Sequence, residues 1–161
     1  MKSKSEIINR LSIWQKDSLQ TKIVGDVCAQ GLNCNQAREI ELIFDSRDPD
    51  EISADALACK DYLALNLSDS AFVYYLPRFL FLIMEDSDRL DVFSDAVVSK
   101  LQPVFASDGG LRKRWKASID EALNKHEKKI VADVLVYLKG KYNVSLYSDP
   151  LELYWQRYID L

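Results

Sequence analysis

His126 is the only histidine in the chain, so any Ser-His-Asp or Cys-His mechanism would need it as the base. It falls in the first turn of a lysine-rich helix, where the helix N-terminus and Lys125, Lys128 and Lys129 disfavour its charged form. A surface residue is the plainer reading. One histidine also removes His-Glu-x-x-His and every other multi-histidine metal site. No P-loop or dinucleotide-binding glycine pattern occurs, and the one Gly-Gly pair, Gly109-Gly110, precedes no phosphate loop.

Carboxylates are the other source of chemistry. Glu85, Asp86, Asp88, Asp91 and Asp95 crowd around one helix junction, and helical spacing puts Asp91 and Asp95 on one face. Oxygen-rich groups of this kind can hold magnesium, but the spacing fits no EF-hand loop. Capping, a solvated face or a partner surface would use the same residues. A second acidic group, Asp45, Asp48, Asp50, Glu51 and Asp55, surrounds Pro49 in a polar stretch that reads as a loop.

The basic run Arg112-Lys113-Arg114-Trp115-Lys116 invites a nucleic-acid reading with Trp115 stacking on a base. Helical phase opposes it, because Leu111, Trp115 and Ile119 lie four apart and read as one inward face. The aromatic ladder Phe72, Tyr74, Tyr75, Phe79 and Phe81 is likewise more simply core than cofactor pocket. Tyr74 and Tyr75 cannot both face inward, so at least one hydroxyl should reach solvent or a polar partner.

Helices must position these groups. Gly is 5 and Pro is 4, too few for the many tight turns of an all-β chain. Hydrophobic residues make up 48% and charged residues 29%, which suits one globular domain with a real core. The first helix starts near Ser5 and turns Ile7, Ile8, Leu11 and Trp14 inward. A second stretch carries Leu19, Ile23, Val24 and Val27 and ends near Gly31. Asn35 caps a helix with Ile40, Ile43 and Phe44. Ser53 or Asp50 caps one through Leu57, Tyr62 and Leu65.

Ser68 is an N-cap, flanked by Leu67 and Phe72 at the spacing of a hydrophobic staple. Pro77 predicts a kink or break in that helix. The run Phe79–Met84 that comes after it is apolar all round and reads as the central buried helix. Asp88 or Asp91 starts the next helix, which turns Val92, Phe93, Val97, Val98 and Leu101 inward and stops near Pro103. Ser107-Asp108-Gly109-Gly110 is a turn. Asn124 and Glu127 form a capping box for a helix with Ile130, Val131, Val134, Leu135 and Leu138 inside. Asp149-Pro150-Leu151-Glu152 reads as N-cap, first-turn proline and reaching glutamate, opening a helix through Tyr154, Trp155 and Tyr158. The expectation is an all-α fold, a single domain over residues 1–161 built as an irregular bundle of about seven helices.

Cys28, Cys34 and Cys59 are odd in number and form no Cys-x-x-Cys pair, so buried free thiols are expected rather than a disulfide framework or zinc site. No apolar run approaches the ~20 residues needed to span a bilayer, and no apolar block follows the charged N-terminus. The expected location is cytoplasmic. The net charge of −4 is unevenly spread: Glu39 to Asp95 holds 14 acidic and 4 basic residues, whereas Ala96 to Tyr142 holds 5 acidic and 10 basic. If the fold gathers them, the acidic residues make one strongly negative face, which would repel phosphate and disfavour nucleic acid.

The segment Leu67-Ser-x-x-Ala-Phe-x-Tyr-Tyr-Leu-Pro-Arg-Phe-Leu resembles a family of small bacterial helical proteins marked by a capped helix running into Tyr-Tyr-Leu-Pro. The block Leu123-Asn-x-x-Glu-x-x-x-Val-x-x-x-Leu-x-x-Leu is similar to that family's second capped helix. The resemblance implies no activity and transfers no catalytic residues. Proteins of this type look like the immunity partners of contact-dependent growth inhibition toxins, many of which cleave RNA or DNA through basic clefts. It implies a carboxylate face standing in for phosphate in such a cleft.

The expected function is therefore a non-catalytic, monomeric immunity protein, without cofactor, that neutralises a basic, nuclease-type toxin domain. The contact residues are expected to be Asp45, Asp48, Asp50, Glu51 and Asp55, with Glu85, Asp86 and Asp88 as a second group. Neither nucleic acid nor membrane is an expected partner. The alternative is a small metal-dependent hydrolase or ligand-binding protein using Asp88, Asp91 and Asp95.

Overall fold

Ile7, Leu11 and Trp14 recur at helical spacing, and in the computed structural model they form the buried face of α1 (Lys4–Ser18). The structure describes residues 2–18, 26–45, 47–103, 109–142 and 145–159. The remaining α-helices are α2 (Cys34–Phe44), α3 (Ala54–Leu57), α4 (Asp61–Asn66), α5 (Asp69–Glu85), α6 (Asp91–Lys100), α7 (Gly109–Trp115), α8 (Lys125–Tyr142) and α9 (Ser145–Leu153). Among the described residues there is no β-strand, only a single bridge between Cys28 and Leu67. The chain is all-α. None of the described helices is long and apolar enough to cross a membrane.

The centre is α5, as the apolar run Phe79–Met84 within it predicts: ten of its residues are buried, from Ala71 to Met84. It packs against α1, α6 and α8, while α4 lies on α6 and α8 carries α9. Phe79 touches Phe44, Phe72, Tyr75 and Phe93 ring to ring, with centroids 5.1 to 6.3 Å apart. The aromatic ladder is therefore core. A buried carboxylate on α8, Asp133, pins α1 through Arg10 and through Lys2 at 3.1 Å. Its low exposure makes this pairing necessary, since an unpaired buried charge is strongly destabilising.

Local capping chemistry matches the sequence closely at two helices. The Ser68 hydroxyl accepts from the Ala71 amide at 3.2 Å, with Leu67 and Phe72 both buried beside it. Asn124 accepts from the Glu127 amide at 3.0 Å, and Glu127 reaches back to the Asn124 amide at 2.7 Å. The inward face expected for α8 is buried as a whole. His126 is exposed in its first turn.

Elsewhere the structure corrects the expectation. The cap of α2 is Asn33, not Asn35: its side chain accepts from Gln36 at 3.0 Å, two residues earlier in the chain. Ser53 does cap, but only the four residues of α3; the single helix expected through Tyr62 is cut by Cys59, whose φ of 58° lies in the left-handed region. The stretch Leu19–Val24 lies outside the described residues. Gly31, further along, has φ 85°, a backbone that suits glycine.

Pro77 neither kinks α5 into two elements nor ends it, and the helix runs on to Glu85. Proline removes one backbone bond, about 3 kcal/mol or more in cost, and the buried side chains on both sides of it outweigh that loss. Asp91 is the first residue of α6, one of the two starts expected, and the Leu90 cap before it makes no side-chain bond. Pro150 lies inside α9, which begins upstream at Ser145, and a 3-10 turn over Trp155–Tyr158 comes after it. Leu111 is 44% exposed although Trp115 and Ile119 are buried. A π turn over Lys116–Asp120 comes directly after Trp115. Part of the Ser107–Gly110 turn lies outside the described residues. The thiols are not uniformly buried either: Cys59 is exposed and Cys28 is half-buried, both free.

Candidate functional site

The acidic stretch after α2 is held in place by its backbone. Tyr75 is fully buried on α5, and its hydroxyl proton is shared between the carbonyls of Phe44 at 2.7 Å and Arg47 at 2.8 Å. One turn later on α5, the Arg78 guanidinium donates to the Ile52 carbonyl at 2.9 and 2.8 Å and to the Asp50 carbonyl at 3.3 Å. Between these two anchors a 3-10 turn forms over Pro49–Glu51, with Glu51 accepting from the Asp48 amide at 2.9 Å. Pro49 and Ile52 are buried beneath it.

Backbone and side chains thus face opposite tasks. The carbonyls of Phe44, Arg47, Asp50 and Ile52 meet side chains of α5, while Asp45, Asp48, Asp50 and Glu51 are exposed. Their proximity is felt by the tyrosines below. Burial, then the neighbouring Tyr74 and the charges of Asp48, Asp45 and Glu51, push the Tyr75 hydroxyl far above its ordinary value. Tyr74, half-buried, is raised by burial and by Asp48 and Asp50. Arg78 is lowered by burial, partly offset by Asp50.

The segment runs in the same direction as α5, from Tyr75 past Arg78 towards the α5 C-terminus. There Asp55, exposed on α3, pairs with Arg89 of the turn after α5. That ion pair joins the two acidic groups read from the sequence, because Glu85, Asp86 and Asp88 lie in the same turn region and are exposed. Asp86 is also the C-cap residue of α5. Asp88 is the most committed of the three: it accepts from Tyr142 at 2.8 Å and from Lys141 at 3.1 Å, and both bonds lower its carboxyl below the ordinary value.

At the other end the band is extended by two residues that sequence reasoning missed. Asp26, Glu41 and Asp45 line a cleft of about 420 Å³ beside Cys28. The Cys28 thiol is raised by burial and then by Glu41 and Asp26, which places both carboxylates close to it. Glu41 sits on the exposed side of α2, one turn before Asp45, so helical phase could have found it. Asp26 could not be found that way, since its stretch is set against α2 by the Cys28 thiol, which donates to the Ala37 carbonyl at 3.5 Å. Leu42, 69% exposed between them in sequence, is an apolar residue amid these carboxylates.

The alternative site is arranged differently. Asp91 and Asp95 share a face of α6, and Asp95 accepts weakly from Tyr147 at 3.4 Å. Burial and then the Asp91 charge raise the Asp95 carboxyl, opposed by the Tyr147 bond. Asp88 does not join them; its bonds go to Lys141 and Tyr142 of α8. Among the described residues no three His, Cys, Asp or Glu side chains are gathered so as to hold a metal ion. Trp115 is buried with its indole N–H donated to the Lys100 carbonyl at 3.1 Å, so its ring is core.

Lys100 is a further residue that sequence reasoning passed over. Its ammonium donates to the Leu67 carbonyl at 2.6 Å, lies 3.6 Å from Asp69 and sits 5.0 Å above the Phe72 ring. Burial lowers it, and Asp69 partly restores it. It ties α6 to the start of α5 and lines a mixed-charge cleft of about 570 Å³ with Asp26, Cys28, Ser68, Asp69 and Arg114.

Comparison with protein-family models, with curated protein sequences and with solved structures gives no match to the chain. Its functional reading rests on the geometry of the acidic band.

Proposed function

We propose that this chain is a non-catalytic binding protein of the immunity type, which neutralises a basic, nuclease-type toxin domain through its acidic band. The observation that supports this is the mounting of residues 44–52. Tyr75 and Arg78 capture the backbone, so the carboxylates of Asp45, Asp48, Asp50 and Glu51 are presented outward on a fixed support. A rigid row of this kind suits a cleft built for phosphates, since little side-chain and loop ordering remains to be lost on binding.

In this reading Asp55, Glu85 and Asp86 extend the contact, and Asp88 borders it. The protein acts as a cytoplasmic monomer in a 1:1 complex. A metal-dependent hydrolase centred on Asp88, Asp91 and Asp95 has weaker support, because Asp88 is engaged by Lys141 and Tyr142.

The decisive measurement is calorimetric titration with the C-terminal toxin domain encoded by the neighbouring upstream gene, at two salt concentrations. Tight 1:1 binding that weakens with salt is expected. No binding at either salt concentration would end this reading.

A further inference from the structure

A third cleft, of about 350 Å³, opens between the π turn Lys116–Asp120 and the C-terminal 3-10 turn Trp155–Tyr158. It shares no residue with the acidic band. A π turn closes over five residues rather than four, so residues 115, 119 and 120 can turn to the same side. That is what is observed. Trp115, Ile119 and Asp120 are all buried, whereas Lys116 remains at the surface. Turns of this kind are costly and concentrate at functional sites.

The charge arrangement is asymmetric. Asp120 is neutralised: Lys128 reaches it at 2.6 Å and the Tyr154 hydroxyl donates to it. Tyr154 is linked in turn to Tyr158 at 3.1 Å between hydroxyls. Arg157 is held in one orientation, its Nε donating to the Tyr154 carbonyl at 2.9 Å and its guanidinium lying 4.4 Å from the Tyr154 ring. Among the described residues neither Arg157 nor Lys116 forms an ion pair within 4.0 Å, though Lys116 is near enough to help hold the Asp120 carboxyl low, and both line the cleft. Trp115 and Leu153 supply apolar wall beside them, Leu153 being 47% exposed.

We propose that this cleft binds a small phosphorylated ring compound of nucleoside monophosphate size, with the phosphate on Arg157 and Lys116 and the ring against Leu153. Two cations lining one cleft suit a dianion, which a phosphate monoester is at neutral pH. The guanidinium, fixed through Nε and the ring, keeps its two terminal nitrogens as a fork matched to phosphate oxygens. The volume falls within the range of small-molecule sites, about 300–1,000 Å³.

Adenosine 5′-monophosphate, adenosine and inorganic phosphate are the probes, each titrated calorimetrically against the full chain. The monophosphate should saturate one site, with adenosine and phosphate at least about tenfold weaker. Arg157→Gln and Lys116→Gln, both exposed substitutions, should each weaken it about tenfold, and Lys113→Gln should leave it unchanged. Thermal melting checks that each variant is folded. Absence of monophosphate binding at millimolar concentration would overturn the proposal. So would equal affinity for inorganic phosphate, or wild-type affinity in both cleft variants.

Discussion

Tyr75 and Arg78, three residues apart on α5, hold opposite ends of the same acidic segment, one through the carbonyls of Phe44 and Arg47 and the other through those of Asp50 and Ile52. Neither side chain touches a carboxylate of the segment. The charges are thus left free while the backbone is fixed, and the two roles can be tested separately.

Tyr75→Phe keeps the buried ring and removes the donor, leaving two carbonyls without it. A loss of about 1–3 kcal/mol in stability is expected, the usual cost of unsatisfied buried groups. Urea denaturation of the variant and the parent measures it. An unchanged midpoint would mean that the hydroxyl does not anchor the segment.

Arg78→Met retains much of the stem packing and removes all three donor contacts to Asp50 and Ile52. Amide exchange should accelerate through residues 47–52 while the interior of α5 stays protected, because the loss is local. Uniform acceleration across the chain would instead show that Arg78 supports the whole core.

Reversal of Asp45, Asp48 and Asp50 to lysine should change stability little, since these carboxylates are exposed. Toxin-domain association should slow by roughly ten-fold or more and lose most of its salt dependence. Stopped-flow association rates at low and high salt would show it. An unaltered rate would remove these residues from the contact surface.

Two carboxylates should give opposite pH behaviour. Burial raises Asp95, assisted by Asp91, so the folded state holds that proton more tightly and stability falls as pH rises through its folded pKa. Asp95→Asn should therefore raise the melting temperature at pH 7 and leave it near parental at pH 3. Burial alone would raise Asp120 too, but hydrogen bonds from Lys128 and Tyr154 outweigh it and hold the carboxyl below its ordinary value. Its contribution is present above the unfolded pKa, about 3.9, and is lost as pH falls through the folded one. Asp120→Asn should lower stability at pH 7 and flatten the acid limb below pH ~4. Melting curves from pH 3 to 7 test both signs.

The sequence by itself determined the helical class, the buried faces of α1, α5 and α8, and the caps at Ser68 and Asn124. Those features are decided within three or four residues, by side-chain period and by a hydroxyl or amide meeting a nearby backbone N–H. It also marked the two acidic groups, though only as composition. Their joining into one band was decided by Asp55 meeting Arg89 and by Tyr75 and Arg78 reaching carbonyls 26 to 31 residues away. Tertiary packing equally overrode local rules at Pro77 and Pro150, both carried inside helices, and at the π turn in which Asp120 is buried. The reason is one of scale. Local rules involve about 1–3 kcal/mol each, and burial of several large side chains outweighs them wherever the two disagree.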